Sequence, residues 1–480
     1  MHGKLGGVQR LVLFAVLVLA GCGDNLKAKL DGGGLPDVSA EFLMRLRALP
    51  NVHDVTEQVT TAPGYHYFVL HFTQQVDHAD PQSATFLQEV SLMHRDETAP
   101  MIVHTSGYWD YYLDRLVEPT VLLDSNQISI EHRYFGTSRP DPADWSKLTI
   151  DQMAGDEHVI VTALKQIYTG KYISTGGSKG GMTAIFYRRF FPDDVDGSVP
   201  YVAPISFAEL DQRYPPFFDT VGPDDCRAAI RNVATELLAN RRAAMESRTV
   251  SQAAVKHYEY TRIAIGPSVE SAIISLEWSF WQYFGVTQCA TVPALTASDD
   301  EMFAFLDAVS SPSDNDDAQI ALFEAYYYQA YYQLGYPDGG TTYLTPYIMY
   351  TDADYIASLP APEPAFDNGA AMHDIDDFVQ HQGNRFVFVY GQWDPWTAGK
   401  FSLGNASDSL LLIQPQGTHG SKIAHLDYDD MNQALAKLGV WTGVTPSLPK
   451  AQALANLAPP HEPRIPSAIR RALRARKRAH

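Results

Sequence analysis

The chain has 480 residues, 45% hydrophobic and 11% aromatic, enough to bury a large core in two or three domains or in one domain carrying a big insertion. Such a composition excludes a disordered chain. Lys and Arg number 36 against 56 Asp and Glu, and the net charge of −20 argues against nucleic-acid binding while fitting a soluble exported protein.

At the N-terminus, Lys4 and Arg10 precede the apolar run LVLFAVLVLA, which is too short for a comfortable membrane span and suits the core of a signal peptide over residues 1–21. The run ends in LAGC, with Leu19 three positions before Cys22. This resembles a bacterial lipobox, in which the cysteine is lipidated and becomes the new first residue. Cys22 would anchor the protein to the bacterial membrane as a cell-envelope lipoprotein; the alternative is an ordinary secretory signal and a secreted protein. The polar, Gly-rich stretch that follows makes residues 22–40 a tether.

Two β-rich runs, YHYFVLHFTQQVDH and ATFLQEVSLMHR, flank the polar ADPQS and predict a hairpin-like entry to the fold. The period then changes. PMIVHTSGY, NQISIEHRYFG, KYISTGGS and GSVPYVAP are short apolar runs ending in Gly, Ser or Pro, with the helical pattern TIDQMAGDEHVIVTALKQIY between two of them. This alternation predicts a mostly parallel sheet covered by helices over residues 41–205. From 206 to 372 the texture is aromatic, acidic and helix-compatible, which reads as a helical cap. Cys226 and Cys289 fall within it, and an even pair in an exported chain reads as a disulfide, the alternative being two buried thiols. Alternation returns in RFVFVYGQWDPW and SLLLIQPQGTHG, giving a second core segment over 373–445, and residues 446–480 read as a Pro-containing basic tail.

The chemistry gathers at three strand ends. Gly176, Ser178 and Gly180 form G-x-S-x-G between KYIST and MTAIFYRRFF. In a nucleophile elbow the serine occupies a tight strand-to-helix turn where larger neighbours would clash, and the next backbone N–H, here that of Lys179, helps to hold the oxyanion. A phosphate loop is the competing reading, but GGSKGG lacks the required spacing. A serine hydroxyl needs a base and an orienting acid. Asp394 in GQWDPW and His419 in GTHG follow in the order Ser, Asp, His, each just after an apolar run. His425, Asp427, Asp429 and Asp430 leave the local assignment open, whereas His104, His132 and His381 read as structural. The second oxyanion donor is expected from HTSGY, at Gly107 or Tyr108.

These segments together resemble the bacterial secreted prolyl tripeptidyl and tetrapeptidyl aminopeptidases, with lysosomal prolyl carboxypeptidase and its dipeptidyl-peptidase relatives as more distant cousins. QQVDHADP, HTSGY, EHRYFGTSRP, GGSKGGMTA, GQWDPW and GTHG carry the likeness across residues 60–440. The resemblance implies an α/β-hydrolase core with a largely helical cap inserted after the sixth core strand. It also implies a serine peptidase, independent of metal or cofactor, that releases short peptides from a free N-terminus, often after proline. The triad roles fall to Ser178, Asp394 and His419. Such an exopeptidase must bind the substrate's α-ammonium at a fixed distance from the serine. Glu277 in SLEWSFWQYFG is the candidate, with Trp278 and Trp281 as pocket walls; an acidic residue on an ordinary amphipathic helix is the alternative. Glu131 in EHRYFG is either a pocket residue or a brace through an ion pair with Arg133 or another base. An esterase or lipase of the same fold would use the same triad, and a catalytically silent binding protein is a third reading.

Overall fold

The computed structural model describes residues 39–110, 114–355 and 364–454. The expected signal peptide, Cys22, nearly all of the tether and the basic cluster lie outside these residues. Among the described residues nine strands form one sheet: β1 Val52–Gln58, β2 His66–Gln75, β3 Thr85–His94, β4 Met101–Thr105, β5 Asn126–Ile130, β6 Tyr172–Gly177, β7 Gly197–Tyr201, β8 Val387–Gly391 and β9 Leu410–Gln414. Their order across the sheet is β1-β2-β3-β5-β4-β6-β7-β8-β9. The pairs β1–β2, β2–β3 and β3–β5 are antiparallel, and every pairing from β5 onward is parallel.

Burial follows from this layout. β4, β5, β7 and β8 are buried along their whole length, as expected of parallel strands with both faces covered. Met101 and Val103 pack into one apolar cluster with Met153, Ile160 and Ile185, while Ile102 packs into another with Leu122, Leu435 and Trp441. That is the period of two that sends successive side chains to opposite faces. The swapped order of β4 and β5, with helices on both faces, is the α/β-hydrolase architecture.

Two elements depart from expectation. β1 buries only Val55 among its seven residues and forms the sheet edge, where outward-facing charges discourage pairing with another chain. Its sequence, VHDVTEQ, offers no apolar run to signal a strand. Because β1 precedes the expected hairpin, the helical insertion follows the seventh strand in chain order rather than the sixth. The second departure is at the C-terminal end: Leu448–Leu454 is a helix, with Ala451 fully buried and Ser447 N–H donating to the Leu122 carbonyl at 3.1 Å. Residues 448–454 therefore pack on the core, because Leu448 and Ala451 supply an apolar face beside Leu122 and Leu123.

Between β7 and β8 the described residues contain helices and short turns without a strand. The principal helices are Asp224–Ala239, Arg242–Lys256, Ile265–Ile274, Leu276–Tyr283, Asp299–Val309 and Asp317–Gln329. The first five enclose their own apolar cluster around Leu237, Ile273, Trp278 and Trp281, into which Trp396, from the segment after β8, inserts, whereas helix Asp317–Gln329 packs through Ile320, Phe323 and Tyr326 into the cluster of the sheet. Cys226 and Cys289 are joined in a disulfide, tying helix Asp224–Ala239 to the turn Val286–Thr291.

Candidate active site

β6 runs straight into the helix Lys179–Phe190, and Ser178 is the joint, with φ 54° and ψ −124°. A positive φ is costly for a residue with a side chain and persists only where the surroundings impose it. Here Ser178 N–H donates to the Tyr201 carbonyl at 2.9 Å, and its own carbonyl accepts from Met182 N–H at 3.0 Å. The close approach of the end of β4 explains two of the glycines. A Cβ at Gly176 would lie 2.6 Å from the Thr105 oxygen, and one at Gly180 would lie 2.3 Å from the same atom.

Asp394 follows β8 and is fully buried; His419 follows β9 and is 4% exposed. The Asp394 carboxylate is shared between two tasks. Its Oδ1 accepts the Trp396 N–H at 3.2 Å, capping the turn Pro395–Gly399, and its Oδ2 lies 2.6 Å from His419 Nδ1. Nδ1 donates in this pair, which leaves Nε2 as the basic nitrogen. His419 is held from the cap side as well: its backbone N–H donates to the Gln282 carbonyl at 2.8 Å, and its ring meets Tyr283 edge-on at 6.1 Å. Asp427 caps the helix Tyr428–Thr442 and Asp429 is exposed in its first turn, with Asp430 beside it and His425 in the preceding turn. The acid–imidazole contact thus belongs to Asp394 and His419.

Lys179 opens the elbow helix, so its backbone N–H is among those left without an intrahelical acceptor. Gly107 has φ +75°, and the Tyr108 N–H contacts Ser106 Oγ at 3.3 Å. A cleft opens at the serine, lined by Ser178, Lys179 and Tyr108 together with Met182, Pro204, Ser206, Tyr326, Leu334, Gly335 and Trp396. Leu334 reaches it from a single π turn, Ala330–Leu334, that continues the helix Asp317–Gln329. Met182 lies in the elbow helix four residues after Ser178, whereas Ser206, Tyr326 and Leu334 come from distant segments and carry no motif. Trp396 lies two positions after Asp394, and Tyr326 and Leu334 both fall in the aromatic stretch YYYQAYYQLG.

The expected substrate-binding residues fall elsewhere. Glu277 is 1% exposed, and both its carboxylate oxygens lie within 3.0 Å of Arg231 Nε. Burial pushes its carboxyl up to about 7 in spite of the guanidinium. With its charge already taken by Arg231, and outside the cleft lining, Glu277 does not meet the expectation of a partner for a substrate ammonium. Trp278 and Trp281 are buried in the cap and stand behind the cleft: Trp278 packs on Trp396 at 5.0 Å and Trp281 faces Trp393 at 6.4 Å.

Glu131 is a brace, though not through Arg133. Its Oε1 accepts the N–H groups of Thr137 and Ser138 at 2.8 and 3.0 Å, and its Oε2 accepts that of Asp110 at 3.0 Å. Arg133 instead makes a bidentate pair with Asp156, at 2.7 Å for each contact. His104 contacts Ser129 Oγ at 2.9 Å, His132 the Arg133 carbonyl at 2.8 Å and His381 the exposed Asp377 at 3.0 Å, all apart from Asp394.

A family model described as PS-10 peptidase S37 matches residues 38–461. Prolyl tri/tetrapeptidyl aminopeptidase from Streptomyces mobaraensis is 38% identical over 442 residues, covering 90% of this chain and 92% of that one. Human lysosomal Pro-X carboxypeptidase is 29% identical over 185 residues, 33% of this chain and 36% of that protein. Among solved structures, a proline iminopeptidase from Mycobacterium smegmatis aligns over 81% of this chain and 99% of its own, at 14% identity and a TM-score of 0.34. The family match runs from ahead of the first described helix to beyond the last, taking in the elbow, the cap and the Asp394–His419 pair, and the chain belongs to the S37 peptidase family.

Proposed function

We propose that this chain is a serine exopeptidase that releases tri- or tetrapeptides, after proline, from free N-termini through an acyl-enzyme on Ser178. The observation that carries this reading is Ser178 held at positive φ on the cleft, with a hydrogen-bonded Asp394–His419 pair at the ends of β8 and β9. The extended similarity to an enzyme named for prolyl tri/tetrapeptidyl release supports the substrate class. The cleft walls support it too, since Tyr108, Tyr326, Trp396, Met182 and Leu334 offer an apolar surface suited to a pyrrolidine ring.

In this mechanism His419 Nε2 takes the proton from Ser178 Oγ as the oxygen attacks the carbonyl preceding the scissile bond. Asp394 fixes the tautomer and stabilises the imidazolium that forms. The tetrahedral oxyanion is held by the Lys179 N–H and by a second N–H from Gly107 or Tyr108. His419 then gives its proton to the departing amine, and water releases the peptide from the ester by the reverse sequence. For location, we propose lipidation of Cys22 and attachment to the cell envelope, supported by the LAGC sequence after an apolar run.

The test is mass spectrometry of products from a small peptide library with free and acetylated N-termini. Tri- or tetrapeptides ending in proline should appear only from the free set, and Ser178→Ala should form none. Equal cleavage of the blocked set would remove the exopeptidase reading.

A further inference from the structure

Lys179 follows the nucleophile, and its side chain is unusually placed. It is 3% exposed, although lysine is almost never fully buried unless paired. Its Nζ donates to the Gly107 carbonyl at 2.5 Å and sits 5.4 Å from the Tyr108 ring and 5.1 Å from the Phe135 ring. Burial pushes the ammonium well below the usual lysine range, with the Glu157 carboxyl opposing that shift. An unbranched apolar side chain would fill the same space without this cost, so packing alone gives no reason for an amine.

The partner atom supplies the reason. The Gly107 oxygen belongs to the same peptide unit as the Tyr108 N–H, and a planar trans peptide turns as one body. Fixing the carbonyl therefore fixes the direction of the N–H on its far side, and a donor at the oxygen polarises that N–H further. The loop needs such a constraint because Gly107 is conformationally permissive. Gly107 also lies against the elbow itself: a Cβ there would come within 2.5 Å of Gly180 N. The peptides that follow are held by other groups. Ser106 Oγ donates to the Tyr108 carbonyl at 2.7 Å, His132 N–H donates to the same oxygen at 2.9 Å, and Glu131 accepts the Asp110 N–H. The Gly107–Tyr108 unit is held at its oxygen by Lys179, and at its N–H by the longer contact of 3.3 Å to Ser106 Oγ.

Resting on the serine-hydrolase reading above, we propose that the Lys179 side chain is a positioning residue for the oxyanion hole. It clamps the Gly107–Tyr108 peptide so that one residue supplies an oxyanion donor from its backbone and aims the second through its amine. The clamp works in either protonation state, because a neutral amine still donates.

Lys179→Met keeps the unbranched stem and removes the donor. The variant and the wild type are compared on p-nitrophenyl acetate and on a chromogenic tripeptide ending in proline. Binding of a peptide boronate, which forms a tetrahedral adduct at the serine, is measured alongside. The expected result is a kcat lower by about 10- to 100-fold on both substrates, with KM within about twofold. Boronate affinity should fall by the same factor as kcat, a correlation that a loss of packing alone would not produce. Wild-type kcat in the variant, or a loss confined to KM, overturns the clamp. Should Lys179→Met fail to fold, Lys179→Gln carries the same comparison, because its donor stops short of the Gly107 oxygen. A matched loss of kcat and boronate affinity supports the clamp there, and unchanged kcat overturns it. The ester separates this proposal from the substrate assignment. A wild type that cleaves the ester but not the tripeptide removes the exopeptidase reading and leaves the Lys179 comparison intact.

Discussion

Removing the Cys226–Cys289 disulfide tests how the cap itself is held together. The bond closes a segment with a sequence separation of 63, so its loss frees the corresponding loop entropy in the unfolded chain. The chain-entropy relation gives about 14 cal/mol/K for a loop of that length, or roughly 4 kcal/mol at 25 °C. That corresponds to about three powers of ten in the equilibrium for unfolding the cross-linked segment. The appropriate variant is Cys226→Ala with Cys289→Ala, since Cys226 is 4% exposed and a serine there would bury an unpaired hydroxyl. Hydrogen exchange should show faster opening of helices Asp224–Ala239 and Leu276–Tyr283, while amides of β4, β6 and β7 keep their protection. The turnover number should fall as well, because the Gln282 carbonyl that holds the His419 backbone belongs to the loosened region. Exchange in the two cap helices within threefold of wild type would refute the reasoning, since it would mean that cap packing carries the constraint without the cross-link.

Asp394→Asn should leave the fold intact and lower kcat by on the order of 10⁴-fold. The Trp396 N–H at Oδ1 keeps the carboxamide oxygen on its side, so the amide N–H₂ faces His419 Nδ1 and forces the ring proton onto Nε2. Full activity in that variant would mean that another acid orients the histidine. A further prediction concerns acid stability. Burial brings the His104 imidazole down from 6.5 to about 3, with Lys422 adding to the shift, and burial lowers His132 as well, helped by Lys179 and Arg133. The unfolded chain therefore binds protons that the folded chain refuses. Stability from His104 is complete above pH 6.5 and is lost as pH falls from 6.5 through about 3. Urea unfolding at pH 7 and pH 4.5 should show a smaller acid loss in His104→Asn than in the wild type, and identical losses would contradict the assignment.

What could be read from the sequence was local. The elbow is legible because its glycines answer a steric demand within a few residues, and Asp394 and His419 are legible because each directly follows an apolar strand. β1 was not, since an edge strand with one buried residue carries little periodicity. The charge on Glu277 was visible, but its partner Arg231 lies 46 residues away on another helix, and nothing in SLEWSFWQYFG announces that the carboxylate is already taken. Likewise the lysine in GGSKGG was plain, but the direction of its side chain toward Gly107, 72 positions earlier, exists only once β4 and β6 lie side by side. Residues 448–454 read as tail because the prolines and basic residues around them outweighed one short apolar stripe.

The bond from His419 N–H to the Gln282 carbonyl bears on how this scaffold can be altered. A cap is the natural part to exchange when a hydrolase is to be given new substrates, provided that the cap and the catalytic loops are separable. Here they are not: helix Leu276–Tyr283 touches the acid segment through Trp278 and Trp281 and the base segment through Gln282 and Tyr283. A graft that replaced the insertion wholesale would leave His419 without its backbone anchor. Residues 276–285 would have to stay with the sheet, and so would Tyr326 and Leu334, which pack into the apolar cluster of the sheet itself.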